Sequence, residues 1–98
     1  MPPSEINLTE AFDIAKLLVD NCGFYDEGNA ILGHIDANQR TVVDGASQEQ
    51  VCQLVVDLLL HQAAKWSSAI DRVIAAVGKP GAGGRGNGQL QTALLEAL

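Results

Sequence analysis

Asp57, His61 and Ser68 carry the side chains of a hydrolytic triad and fall on one face of a predicted helix. In a triad the carboxylate orients the imidazole, which takes the proton of the nucleophilic hydroxyl. A helix rises about 1.5 Å per residue, so His61 and Ser68 are separated by about 10.5 Å along its axis. A base must lie about 3 Å from its nucleophile. We therefore predict no catalytic site, and we interpret Asp57 and His61 as an exposed pair.

The cysteines and histidines are of the types that bind zinc. Their spacings match none of the close-paired ligand patterns of protein zinc sites. Cys52 and His61 are nine residues apart on one predicted helix, which turns them to opposite faces. We predict buried thiols, no bound metal and no cofactor. The residues considered are Cys22, His34, Cys52 and His61.

Glycine dominates the segment from Gly78 to Gly88. A phosphate-binding loop follows a strand and closes with a Lys-Ser or Lys-Thr pair, and this segment shows neither feature. Arg85 supplies too little positive charge for RNA binding. We therefore expect residues 79–88 to form a flexible linker.

The charge distribution excludes several kinds of partner. The formal net charge is −6, and residues 1–49 hold nine acids against two bases. Such a chain lacks the basic face needed for nucleic acid or for an anionic membrane surface. The sequence shows no signal peptide and no apolar run long enough to cross a bilayer. We expect a cytoplasmic protein with reduced thiols, and we expect partners to be proteins.

A very apolar segment between Ser47 and Val77 carries several of the residues considered above, among them Cys52, Asp57 and His61. Ser47 and Gln50 have the spacing of a capping box, and no Gly or Pro follows until Gly78. The pattern predicts one long central helix, over about residues 48–77. Its first half is apolar around most of its circumference, whereas a surface helix usually has one apolar stripe.

The length of this helix predicts a second copy of the chain. Thirty residues would form a rod of about 45 Å, while a domain of this size is roughly 33 Å across. Either the helix bends near the Ser67–Ser68 pair, or a partner copy covers the excess. We favour a twofold-symmetric homodimer. The predicted interface residues are Val51, Leu54, Val55, Leu58 and Leu59.

The remaining segments complete an all-α fold of three to four helices, with a helical domain over residues 1–78. Asn7 caps a first helix over about 8–21. Residues 24–46 fit either a short helix over about 28–37 or a β-hairpin with strands at 31–35 and 40–44. Residues 89–98 form a short amphipathic helix, which should fold only against a groove in its own or another chain.

Composition and pattern together predict a non-catalytic protein that binds another protein. The form we expect is a regulator or inhibitor that sequesters its target, as an anti-activator does. One alternative is a helical dimer with an apolar inter-subunit pocket, which binds a small ligand or acts as an enzyme; another is a self-assembly module. Trp66 suits either the core or an interface. The predicted partner-binding residues are Phe24, Tyr25, Asp26, Glu27, Trp66, Ile70, Leu90 and Leu94.

Overall fold

The computed structural model describes residues 6–78 and 88–98. These residues are mostly helical and include no strand, which confirms the all-α class. The predicted linker over 79–88 lies, apart from Gly88, outside the described residues. In chain order the helices are α1 (Leu8–Cys22), α2 (Tyr25–Leu32), α3 (Gln48–His61), α4 (Ala63–Trp66), a 3₁₀ turn (Ser67–Ala69), α5 (Ile70–Gly78) and α6 (Gly88–Ala97).

The first helix is confirmed, including the residues that begin and end it. The backbone N–H of Glu10 donates to Asn7 Oδ1 at 2.8 Å, and the N–H of Asn7 donates to Glu10 Oε1 at 3.1 Å. Gly23 ends the helix in the left-handed conformation, with φ of 75°, which glycine adopts without a steric penalty. Helix α1 packs against α2, α3, α4 and α5, so it occupies the position that we predicted for a long central helix.

The segment after α1 combines parts of both predicted alternatives. Helix α2 begins at Tyr25 and ends at Leu32, several residues earlier than predicted at each end. It is followed by a minimal hairpin with one antiparallel bridge, between Ile35 and Val42. The carboxylate of Asp36 accepts hydrogen bonds from two backbone N–H groups of the turn, those of Asn38 and Gln39.

Arg40 attaches this hairpin to α1. Its backbone has φ of 56°, in the left-handed region that residues other than glycine rarely adopt. Two contacts of the side chain offset this unfavourable backbone conformation. Nη1 lies 3.2 Å from Asp13 Oδ1, and the guanidinium carbon lies 4.1 Å from the centre of the Phe12 ring. These contacts hold the hairpin beside the body of the protein.

The prediction of an unbroken central helix is wrong. Helix α3 stops at His61, and Gln62 has the non-helical φ and ψ of −125° and 41°. The Ser67–Ser68 pair lies in the 3₁₀ turn, a second departure from α-helical geometry. The longest dimension of the structure is 33 Å, shorter than the predicted rod. The breaks let α3 and α5 both contact α1.

Trp66 stabilises the first break. The last carbonyl groups of a helix have no partner within that helix, and Leu59 lies in the last turn of α3. The indole Nε1 of Trp66 donates to the carbonyl oxygen of Leu59 at 2.9 Å, in a fully buried position. Of the two positions that we considered for Trp66, the core and an interface, the structure places it in the core.

Burial within one chain weakens the argument for the predicted dimer interface. Val51, Val55 and Leu59 have at most 1% of their surface exposed, because α1 and the other helices of the same chain cover them. Leu58 is half-buried, and Leu54 remains 45% exposed. The uncovered apolar surface of α3 is thus reduced to a small part of what the sequence pattern indicated.

Gly28 determines how closely α2 approaches α1. A Cβ atom added at Gly28 would lie 2.4 Å from Val19 Cγ2 and 3.4 Å from the backbone oxygen of Ala15. Real Cβ contacts are longer than the first distance, so a larger residue would push the helices apart. The glycine lowers helix propensity, but it allows tight packing between the two helices.

We predict that Gly28→Ala lowers the free energy of unfolding by up to about 2 kcal/mol, because overpacking costs about 1–3 kcal/mol and the gain in helix propensity offsets only roughly 1 kcal/mol of it. Urea denaturation followed by circular dichroism measures the change. Gly33→Ala is the matched control, since its added Cβ would meet no atom closer than 3.5 Å. Equal effects of the two substitutions would contradict this account of α2 packing.

We also predict that Trp66→Phe destabilises the fold by about 2–4 kcal/mol, since the buried Leu59 carbonyl loses its donor and some core volume is lost. Thermal and urea unfolding give the value. Tyr25→Phe, which removes a polar atom from an exposed aromatic residue, serves as the control and should change stability by less than about 0.5 kcal/mol. A similarly small effect of Trp66→Phe would show that the hydrogen bond does not stabilise the break.

Candidate functional site

A groove runs along α3, and we call it the α2–α3 groove. Its other wall is α2 over one part of its length and, over the rest, the segment that carries His34 and Ala46. The groove consists of two adjoining depressions with volumes of about 380 and 390 Å³. His34, Leu54 and Asp57 line both depressions, which makes the groove continuous. Its lining extends from Gln50 on α3 to Gln62, the residue that follows the end of α3, a length of about 18 Å at roughly 1.5 Å per residue.

The walls of the groove are apolar and belong to both helices. Ala30 and Ile31 come from α2, and Leu54 and Leu58 come from α3. Most large apolar residues that the structure describes are buried or half-buried, but Leu54 is 45% exposed. Its position on the groove, rather than alone on a convex surface, is typical of a contact site for another molecule.

The polar residues along the groove have an acidic bias. Glu27 and Asp57 line it together with two imidazoles, those of His34 and His61, and neither Lys nor Arg lines either depression. Asp57 accepts a hydrogen bond from Gln53 Nε2 at 2.8 Å. The structure gives it no ion pair with His61, so the pairing that we predicted from their spacing is not formed.

Glu27 lies at the end of the groove nearest to the break in the central segment. Its Oε2 is 3.8 Å from Lys65 Nζ and 3.5 Å from Gln62 Nε2. The pKa of Glu27 is lowered, first by a hydrogen bond from its own backbone N–H; burial opposes this shift, while Lys65 and Gln62 add to it. The carboxylate is therefore ionised at neutral pH.

His34 and Asp44 close the hairpin beside the middle of the groove, where the two depressions meet. His34 Nδ1 is hydrogen-bonded to the carboxylate of Asp44, and the backbone N–H of Val43 donates to the His34 carbonyl at 3.0 Å. The hydrogen bond with His34 is the first cause of a lowered pKa of Asp44, and the N–H of Ala46 contributes further. With Nδ1 engaged, Nε2 is the ring nitrogen left for a molecule in the groove.

The structure separates the predicted partner-binding residues. Glu27 lines the groove, and Tyr25 and Asp26 are exposed beside it in the sequence without lining it. Ile70 is half-buried on α5. The others have no exposed surface and belong to the core, so a partner could not contact them in this conformation: Phe24, Trp66, Leu90 and Leu94.

Sequence reasoning missed the part of the groove that α2 supplies. Ala30 was not singled out for a site, and His34 was considered as a zinc ligand but not as part of a groove within one chain. Leu54 and Leu58 were singled out, although for a dimer interface. Their apolar character at positions next to polar Gln53 and Asp57 was the signal that could have indicated a groove.

The cysteines and Ser68, for which we predicted neither metal binding nor catalysis, do not line this groove. Cys22 and Cys52 are buried free thiols, and burial raises the pKa of each, which keeps them protonated. Ser68 lies beyond the break, in the 3₁₀ turn. Within residues 6–78 and 88–98, no group of three or more His, Cys, Asp or Glu side chains is placed to hold a metal ion.

Comparison of the chain with protein-family models, with curated proteins and with solved structures finds no match. None of the described helices combines the length and the apolar character that crossing a bilayer requires. The groove must therefore be interpreted from its own geometry and charge.

We predict that His34→Ala raises the pKa of Asp44 toward its ordinary value, because the hydrogen bond that is the first cause of its lowering is removed. An Asp pKa that is lower in the folded than in the unfolded chain stabilises the fold above the unfolded pKa of about 3.9, and this contribution disappears as pH falls through the folded value. Carboxyl-carbon NMR titration measures the pKa directly. Asp57, which shares the groove but has no hydrogen bond with His34, is the internal reference, and an unchanged Asp44 titration would contradict the assigned cause.

Proposed function

We propose that this chain is a small, acidic, non-catalytic protein that binds a target protein and keeps it from acting, as a sequestering regulator or inhibitor does. The α2–α3 groove is the proposed contact site, and its proposed occupant is a basic amphipathic helix of the target. The observation that carries the proposal is the exposed side chain of Leu54, in an apolar groove whose charged lining residues, Glu27 and Asp57, are both acidic.

The dimensions of the groove favour a helix. A length of about 18 Å accommodates roughly twelve helical residues, which present an apolar side chain at every third or fourth position. Amphipathic helices bind other proteins in this way, with their apolar face in a groove between helices. Leu54 and Leu58, one turn apart on α3, match this spacing.

The charge of the groove favours a basic occupant. Complementary charge increases the rate of association and excludes partners of the wrong sign. Asp57 offers a carboxylate to a Lys or Arg residue flanking the apolar positions of the target helix. Glu27, whose Oε2 faces Lys65 of the same chain, offers its second carboxylate oxygen. A second copy of this chain would bring another net charge of −6 to the same surface, so we propose a homodimer only as a lesser use of the groove.

The cellular setting is part of the proposal. Cys22 and Cys52 are unpaired, as cysteines are in the reducing cytoplasm. We therefore propose that the target is a cytoplasmic protein with an exposed basic helix. A protein of this size that covers one functional helix would inhibit its target by binding alone, without any reaction.

We predict that a synthetic helix of about 15 residues, long enough to be partly helical in water, binds this groove if it carries leucines at helical spacing flanked by lysines. Calorimetry should show an affinity that falls as salt rises, because salt screens charges within about 8 Å at 0.15 M ionic strength. Amide NMR shifts should change at Ala30, Leu54 and Asp57.

Two substitutions and two controls make the experiment specific. Leu54→Ser should weaken binding about tenfold and Asp57→Asn about threefold, through lost apolar contact and lost charge complementarity respectively. Leu95→Ser changes a leucine of similar exposure on α6 and should leave the affinity unchanged. A peptide with glutamates in place of the lysines should not bind. If Leu95→Ser weakens binding as much as Leu54→Ser, the groove is not the site.

A further inference from the structure

The imidazole of His34 lines both depressions of the α2–α3 groove and so lies where they meet. Its Nδ1 is hydrogen-bonded to Oδ2 of Asp44, a residue that lines neither depression. Among the residues that the structure describes, no other side-chain hydrogen bond is made by His34. Because 33% of this side chain is exposed, Nε2 is the polar atom of the ring that an occupant of the groove can reach.

Asp44 is the hydrogen-bond acceptor in this pair. The pKa of its carboxyl group is lowered, first by the hydrogen bond with His34 and then by the backbone N–H of Ala46, which donates to Oδ1 at 3.2 Å. A carboxylate that is ionised at neutral pH has lone pairs but no proton to donate. The proton of the pair is therefore on Nδ1 of His34, and in the neutral imidazole Nε2 carries a lone pair.

The hairpin holds the two side chains of the pair together before any partner binds. The backbone N–H of Val43 donates to the His34 carbonyl at 3.0 Å, and the antiparallel bridge joins the next residue, Ile35, to Val42. Asp44 directly follows Val43, so backbone pairing brings it beside His34. A group that is already in place costs less conformational entropy when a ligand binds.

We propose that His34 Nε2 is a hydrogen-bond acceptor in the middle of the α2–α3 groove, and that the target helix donates to it from a side-chain amide or hydroxyl. This inference rests on the proposed function, because it specifies the helix that occupies the groove. A helix seated on Leu54 and Leu58 excludes water from the middle of the groove. An Nε2 lone pair left there without a donor costs free energy, so the groove discriminates against a helix that is apolar along its whole seated face.

Asp44 is the positioning residue of this site, because it determines which ring nitrogen carries the proton. Asp44→Asn leaves Oδ1 to accept the N–H of Ala46 and places an amide N–H group against His34 Nδ1. The imidazole proton then moves to Nε2, since Nδ1 must accept. The substitution thus converts the acceptor in the groove into a donor while it keeps the same side chains at the site.

The tautomer of His34 can be measured in the free chain, without a ligand or a variant. Ring-nitrogen chemical shifts distinguish a nitrogen that carries a proton from one that carries a lone pair. At about pH 8, above the ordinary range of histidine titration, we expect the proton of His34 on Nδ1. A proton on Nε2, alone or together with one on Nδ1, would overturn the proposal.

The synthetic helix with leucines flanked by lysines is the probe for the binding step. Each residue of its central turn is replaced in turn by glutamine, or by glutamine with a dimethylated side-chain amide. Both forms accept a hydrogen bond, but only the unmodified amide donates one. At the position that faces His34, calorimetry should show about three- to tenfold tighter binding of the glutamine peptide, since a neutral hydrogen bond has an effect of this order.

The ratio of the two affinities in one chain is the quantity to compare, because a general change in charge or stability cancels in it. Asp44→Asn should abolish or reverse the preference for glutamine. Asp26→Asn makes the same charge change at an exposed residue that does not line the groove, and it should keep the wild-type ratio.

The outcomes separate this inference from the function on which it rests. Equal binding of the two peptides at every central position, or the wild-type ratio in the Asp44→Asn chain, would overturn the hydrogen bond to His34 and leave the groove as a helix site. Failure of every peptide to bind would overturn the proposed function, and this inference with it.

Discussion

The hydrogen bond from Trp66 to the Leu59 carbonyl is the contact on which the arrangement of this protein depends. It lies at the break between α3 and α4, within an apolar segment that would exceed the width of the domain if it formed one helix. By giving a buried donor to a carbonyl at the end of α3, it stabilises an interruption that would otherwise leave a polar group unpaired in the core. The interruption lets α3 and α5 both pack on α1, and much of the apolar surface that suggested a second copy is thereby covered within one chain.

The sequence predicted best the features that depend on neighbouring residues. The Asn7 and Ser47 caps form as their spacing indicates, because a capping box involves residues only three positions apart. The break at Gln62 could not be predicted in this way. No Gly or Pro marks this position. The contact that stabilises the break joins Trp66 to Leu59, seven positions away. The apolar periodicity is equally consistent with Trp66 on the face of an unbroken helix.

The candidate site shows the same division between local and tertiary information. An excess of apolar residues on α3 was evident from the sequence, and Leu54 and Leu58 do line a groove. Which face of α2 lies opposite them was not evident, because the position of α2 depends on the close approach at Gly28. The hairpin that brings His34 to the groove is held by contacts of Arg40 with Asp13 and Phe12. Both residues precede Arg40 by more than twenty positions in the sequence.

The burial of Trp66 at the break has a spectroscopic consequence, since the chain contains one tryptophan. Indole emission moves to longer wavelength when water reaches the ring, so the tryptophan fluorescence of the protein reports on this one junction. A red shift at constant helical ellipticity would record a junction that opens while the helices persist. Any ligand that reorients α5 against α3 would thus be visible optically, without a label.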